Sequence, residues 1–341
     1  MAAIDSNQSL KTLYMMKKNL FIAAAVLTLC TAACTLEKTD VSSESRTSDR
    51  TVVLKVSVPC PVTKATDSEG EETVGSLQVF VFRPDGTLDA SSSAEASEVS
   101  VSCTAGQKKV VAVVNAPQLS DIHDLTSLEQ SVSLLSDNSK GRYVMYGKKD
   151  VDVVGSVPVT VEVARLVARV SIHKITNAFT LEQYQDATVE LVRIFLLNAA
   201  GDVQYGGGSQ PSVWHNTLTL KNEVPGLLQS EGINEQIAYN TSYSQPHYFY
   251  CYPNPTEADS SEEDWSPRYS RLVVEISVDG QTYYYPVSVP GILGNHKYEI
   301  TELKITRLGS ESPDIPVSVH EASFTVTVDQ WDDGMSSAVE I

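Results

Sequence analysis

A chain of 341 residues, 42% of them hydrophobic and 20% charged, can bury more than one apolar core and is not an intrinsically disordered protein. Its 43 acidic residues against 25 basic ones give a net charge of −18, which argues against nucleic acid and anionic lipid as partners. Val, Thr, Ser and Tyr are abundant, turn pairs such as Asp85-Gly86 and Asp279-Gly280 separate short alternating runs, and no heptad or 3.6-residue pattern is sustained, so the class is all-β and the length suits about two domains.

The first predicted element is a targeting segment. Lys17 and Lys18 precede an apolar run, Leu20 to Leu29, that is too short to span a bilayer comfortably; Thr31-Ala32-Ala33 and then Cys34 follow. A cysteine at that place reads as a bacterial lipoprotein acceptor, whose thiol takes a diacylglyceryl group before residues 1–33 are removed, so that a palmitate-bearing Cys34 becomes the amino terminus. Thr31 stands where such segments usually have Leu, which leaves a plain secretory signal as the alternative. Met16, opening "MKKNLFIAAAV", is the better start residue. Without residues 1–33 (Lys11, Lys17 and Lys18 from 25, Asp5 from 43) the chain has 22 basic and 42 acidic residues, a charge of −20, which reads as the solubility of an exported surface protein. Residues 34–50 form a lipidated tether of Ser, Thr and charged residues.

Strands begin beyond it. In "TVVLKVSV" Val52, Leu54, Val56 and Val58 fall on one face and Lys55 and Ser57 on the other, the period of a half-buried strand that ends at Pro59 and Pro61. An acidic loop containing Lys64-Ala65 leads to strands over "LQVFVF" (Leu77 to Phe82), "EVSVSC" and the apolar run Val110 to Val114. The polar section Gln118 to Lys140 carries Leu125, Leu128, Leu134 and Leu135 on a short helix or loop; strands resume with "RYVMYG" and the alternation Val157, Val159, Val161, Val163. A second set follows "RLVARVSIHKI": "TVELVRIFLLN", "QPHYFYCYPN" and the hairpin "RLVVEISVDGQTYYYPVSV" closed by Asp279-Gly280. This pattern predicts two β-sandwiches, residues 51–164 with a first strand over 51–59, and residues 165–312.

Residues 313–341 form an extension. After "GNHKYEITELKITRLG" and the spacer "SESPDIP", Phe324, Val326 and Val328 share one parity and Met335, Val339 and Ile341 another, giving two strands beyond those that two sandwiches need.

Chemistry is sparse. His123, His173, His215, His247, His296 and His320 are isolated, no nucleophile or phosphate-loop motif occurs, and Asp150 to Val154 and Glu262 to Trp265 lack a calcium-loop spacing, so both read as solvated loops. No catalytic site, metal or cofactor is expected. Cys60, Cys103 and Cys251 make no disulfide framework; buried thiols are favoured over a Cys60 to Cys103 bridge. The rings of "HYFYCY" and Tyr283 to Tyr285 suit strand packing better than a sugar platform.

The order of Cys34, "TVVLKVSV" before Lys64-Ala65, "LQVFVFRPDGTL", "CTAGQKKVVAVVNAP", "ARLVARVSI" and "GNHKYEITELKITRLGSESPDIP" before Trp331 resembles the fimbrillin family, the lipoprotein-derived subunits of protease-matured (type V) fimbriae. The resemblance implies two tandem transthyretin-like β-sandwich domains and polymerisation by donor-strand exchange for adhesion. A surface protease would remove the strand bearing Val52, Leu54, Val56 and Val58 by cutting after Lys64, and a terminal strand of another copy or a related subunit would replace it, with Phe324, Val326 and Val328 or Met335, Val339 and Ile341 as its knobs. The family's processing residue is usually Arg. Lys64 therefore implies a trypsin-like protease that accepts Lys, a Lys-specific protease, or no cleavage. The implied location is the outer membrane, through the lipid anchor, and then the fimbrium. The alternatives are the anchor subunit of the same fimbriae and a surface glycan-binding lipoprotein.

Overall fold

The computed structural model describes residues 50–59, 70–259, 265–315, 322–331 and 336–339. Among these the architecture is all-β, and the described residues belong to one compact unit.

Strand β1 (Thr51–Ser57) is the middle strand of a three-stranded sheet. It runs antiparallel to β4 (Glu98–Thr104) and parallel to a short strand over Pro158–Thr160. Facing this sheet is a five-stranded one built from β2 (Leu77–Phe82), β3 (Leu88–Ala94), β5 (Gly106–Val114), β6 (Met145–Val153) and the edge pair Ala164–Arg165. Val52, Leu54, Val56 and Val58 meet Leu77, Val79, Val110, Ala112 and Met145 in one apolar core, the packing that defines a β-sandwich. β1 alternates buried and exposed along its length, because only one of its faces is covered. β2 is buried at every position, because Phe80 and Phe82 pack on its outer face with Ile122, Leu128 and Tyr205. Leu128 comes from the short helix α1 (Leu125–Gln130), whose N-cap Asp124 accepts a 2.7 Å hydrogen bond from Ser127 N.

A second, larger core lies between a seven-stranded and a four-stranded sheet. The seven-stranded sheet includes β7 (Ala168–Ile172), Ile175–Asn177, β8 (His247–Cys251) and β9 (His296–Ile305), with β9 parallel to both β7 and Ile175–Asn177. The four-stranded sheet carries Val189–Leu197 beside the hairpin Ser270–Val278 and Gln281–Val289. That hairpin turns at Asp279 and Gly280, with φ of 48° and 85°, the paired left-handed conformations of a type I′ turn.

Two sequence expectations are corrected. Asp150 to Val153 do not form a solvated loop: they lie in β6, paired with Gly106 to Lys109 of β5. Nor is the segment after the spacer surplus. Strand β10 (Ala322–Gln330) pairs antiparallel with β9 from Ile305↔Ala322 to His296↔Gln330, Ala322 and Val326 are buried in the larger core, and Phe324 and Val328 pack against it. The slot exists because β7 and Ile175–Asn177 pair successively with one side of β9, leaving its other side open for β10. Strand β11 (Ser336–Val339) follows and, among the described residues, pairs β10 alone.

Candidate assembly groove and its two ends

The residues read as a removable strand form a continuous ridge in the first core. Val52 and Val58 are 4% exposed and Leu54 and Val56 wholly buried. On the opposite face Lys55 makes an exposed 2.8 Å ion pair with Glu98 of β4, a contact of little energetic weight. Backbone bonds tie β1 to both neighbours: the β4 ladder runs from Thr51↔Thr104 to Ser57↔Glu98, and on the other side Val161 N donates to Ser57 O at 3.0 Å and Lys55 N to Val157 O at 3.4 Å. A sheet lacking this strand would present unpaired N–H and C=O groups of two flanking strands above an apolar trough bordered by Val99, Val101, Val159 and Val161. Such a trough selects an extended segment with an apolar residue at every second position. Cys34, Cys60, Lys64 and Ala65 lie outside the described residues.

The chain re-enters the described structure at Gly70, and Glu71 immediately turns inward. Its carboxylate is wholly buried, accepting from Arg169 Nη1 at 2.9 and 3.1 Å and from Tyr250 Oη at 2.6 Å, while Arg165 Nε donates to its backbone carbonyl at 3.0 Å. Arg169 also bonds Glu299 at 3.0 Å. Trp331, 1% exposed, closes the group: Arg165 lies over its ring at 4.6 Å, Arg169 at 5.4 Å, and Tyr250 stacks on it at 6.2 Å. Burial beside this ion pair pushes the Tyr143 phenol up to about 12.

On the carboxyl-terminal side, the spacer before β10 carries a second buried anchor. Asp314 accepts from Asn198 Nδ2 at 2.7 Å, Arg268 Nη1 at 2.8 Å and Arg271 Nη1 at 3.2 Å. Trp331, directly after β10, donates its backbone N–H to Asn295 O at 3.0 Å and so fixes the end of that strand. Val339 lies in β11; Met335 and Ile341 fall outside the described residues.

Other candidates are dispersed. Among the described histidines, His215 pairs with Glu223 at 3.1 Å, His247 with Tyr243 Oη at 2.7 Å and His296 with Gly294 O at 2.7 Å, each at a separate place; His320 lies outside the described residues. Among the described residues no group of three or more His, Cys, Asp or Glu is arranged to hold a metal ion. Cys103 and Cys251 are buried free thiols; burial raises both, Cys251 to about 12, which suppresses the reactive thiolate. Tyr283 and Tyr285 pack toward the larger core and Tyr284 toward a small cluster on the other face of its sheet, as strand alternation requires.

Glu71, Arg165, Arg169, Trp331 and Asp314 were not singled out as site residues from sequence. The available signal was two arginines four residues apart inside the apolar run "ARLVARVSI", since buried cations need partners. Nothing local marks Glu71, rather than Glu69 or Glu72, as that partner.

The described fold is all-β, with two apolar cores that each lie between two sheets. Residues 53–162 match the family of the major fimbrial subunit protein (FimA), a stretch that begins within β1 and includes most of both sheets of the first core. Among solved structures, a protein of Bacteroides eggerthii provisionally assigned to cell adhesion superposes with a TM-score of 0.64 at 17% identity, covering 82% of this chain and 96% of that one. The fimbrilin FimA of Porphyromonas gingivalis gives 0.59 at 17% identity, covering 82% and 98%, and the tip fimbrial protein Mfa3 of the same organism, with a C-terminal truncation, gives 0.51 at 14%, covering 81% and 99%. At these identities the likeness is one of fold. No curated protein matches the chain by sequence.

Proposed function

We propose that the protein is a structural, non-enzymatic subunit of a cell-surface fimbrium, exported as a lipoprotein through Cys34 to the outer membrane and polymerised by donor-strand exchange. A surface protease cuts the loop after Lys64, β1 departs, and the tail of another copy or of a related subunit enters the groove. The observation that carries this reading is the place of β1: it is a central strand with four core side chains, yet its outward face makes only a surface ion pair. Filling the vacated trough with four such side chains is worth roughly 1.5–3 kcal/mol each before ordering costs, and the backbone ladder adds to it. A subunit joined this way dissociates very slowly.

We assign the donor to the segment after Trp331, containing β11, because β10 is part of the subunit's own core and its end is fixed by Trp331. The lysine at position 64, where related subunits usually carry arginine, favours a second reading in which the chain escapes cleavage, keeps its lipid and β1, and ends the fimbrium at the membrane as the anchor. Mature protein treated with a trypsin-like protease separates the two: cleavage followed by detergent-resistant, heat-labile ladders supports the polymerising subunit, and an intact monomer sinks it.

A further inference from the structure

Glu71 lies just beyond the loop that carries Lys64, in a stretch whose neighbours Asp67, Glu69 and Glu72 give it the composition of a solvated turn. A carboxylate from such a turn is carried into the interior only where a cation and further donors meet it. Arg169, itself wholly buried, and Tyr250 provide that match, and both lie in the seven-stranded sheet, whereas the residues following Glu71 lead into β2 of the first sandwich. The same two residues touch Trp331, the last residue before the tail.

We propose that this cluster is the fixed point of subunit exchange, with Glu71 as a positioning residue: Glu71 pins the body-side end of the cut loop, and Trp331 pins the base of the donor arm. The inference rests on the strand-exchange reading. Its consequence is a pair of limits set in one place. The leaving piece ends inside the loop, since residues from Glu71 onward stay with the body, and the donated arm begins at Asp332. The stub left by a cut after Lys64, Ala-Thr-Asp-Ser-Glu-Gly, has no large apolar side chain with which to refill the trough, so the groove stays open for a second copy.

Hydrogen exchange of the full chain, before and after protease treatment, tests the pin through residues 70–76. There Thr73 N bonds Gly70 O at 3.1 Å, and Gly75 N bonds Asn115 Oδ1 at 2.8 Å. In the wild-type protein these amides stay protected after cleavage; in Glu71→Gln they exchange about 100-fold faster, as expected when a buried charge loses its partner. If that variant does not fold, the paired Glu71→Gln/Arg169→Met change removes the tie without stranding a buried cation and gives the same loss of protection. A chain ending at Trp331 retains its melting temperature and cannot donate, whereas Trp331→Ala lowers the melting temperature as well. Loss of protection over 70–76 on cutting the wild-type protein, with ladders still forming, overturns the pin alone. Ladders formed by the chain ending at Trp331 overturn the donor limit. Protected amides without any ladder leave the pin standing and sink the strand-exchange reading beneath it.

Discussion

Leu54→Ala separates a placeholder strand from a permanent one. Leu54 is wholly buried at the centre of β1, among Val52, Val56 and the facing β2 and β5 side chains. Truncating such a leucine costs about 2–5 kcal/mol, combining lost transfer energy with the cavity left behind. At roughly 2–4 °C per kcal/mol for chains of ~150–250 residues, the uncleaved subunit should melt at least several degrees lower by calorimetry. If β1 is discarded on assembly, the polymer contains no residue 54, and the guanidinium midpoint for its dissociation should match that of the wild type. The reasoning is refuted if the polymer weakens in step with the precursor, or if the precursor's melting temperature does not move.

Other residues give sharper contrasts. Val326→Ala should cost the subunit about 1.5–3 kcal/mol before any assembly, because Val326 belongs to the subunit's own core; an unchanged monomer melt would contradict that. Asp314→Ala deprives Arg268 and Arg271 of a shared buried carboxylate and should cost about 3–5 kcal/mol in urea denaturation. Acid sensitivity should trace in part to Asp89. Burial opposes its ionisation, but hydrogen bonds from Lys108 and Thr104 and the Lys108 charge outweigh it, holding the carboxyl below its ordinary 3.8. Its contribution is therefore present above the ordinary value and lost as pH falls through the lower folded one, so Asp89→Asn should flatten the acid limb of a stability–pH profile.

β1 was legible because a strand covered on one face must alternate, and in "TVVLKVSV" Val52, Leu54, Val56 and Val58 do so, with Val53 the one apolar residue on the exposed face. The closing turn at Asp279-Gly280 was legible for a similar reason, since few residue pairs adopt two successive left-handed conformations. β3, "LDASSSA", escaped notice: it is rich in Ser and Ala, poor strand formers, and is held by its ladder with β2 rather than by a buried face. Asp150 to Val153 read as a loop because of their charge, although in an edge-ward strand the acidic side chains simply face solvent beside a paired backbone. The place of β10 is a tertiary fact: nothing in "ASFTVTVDQ" distinguishes a strand with a slot beside β9 from one without. The Glu71 and Asp314 anchors share that opacity, since each joins residues far apart in the chain whose pairing no local pattern encodes.

Strand exchange turns on what happens to β1. After treatment of the mature protein with a trypsin-like protease, mass spectrometry of gel-separated ladders should find bands that contain β11 and lack every residue from Arg50 to Lys64. Ladders that retain β1, or β1-free protein that remains monomeric, would contradict strand exchange in this subunit.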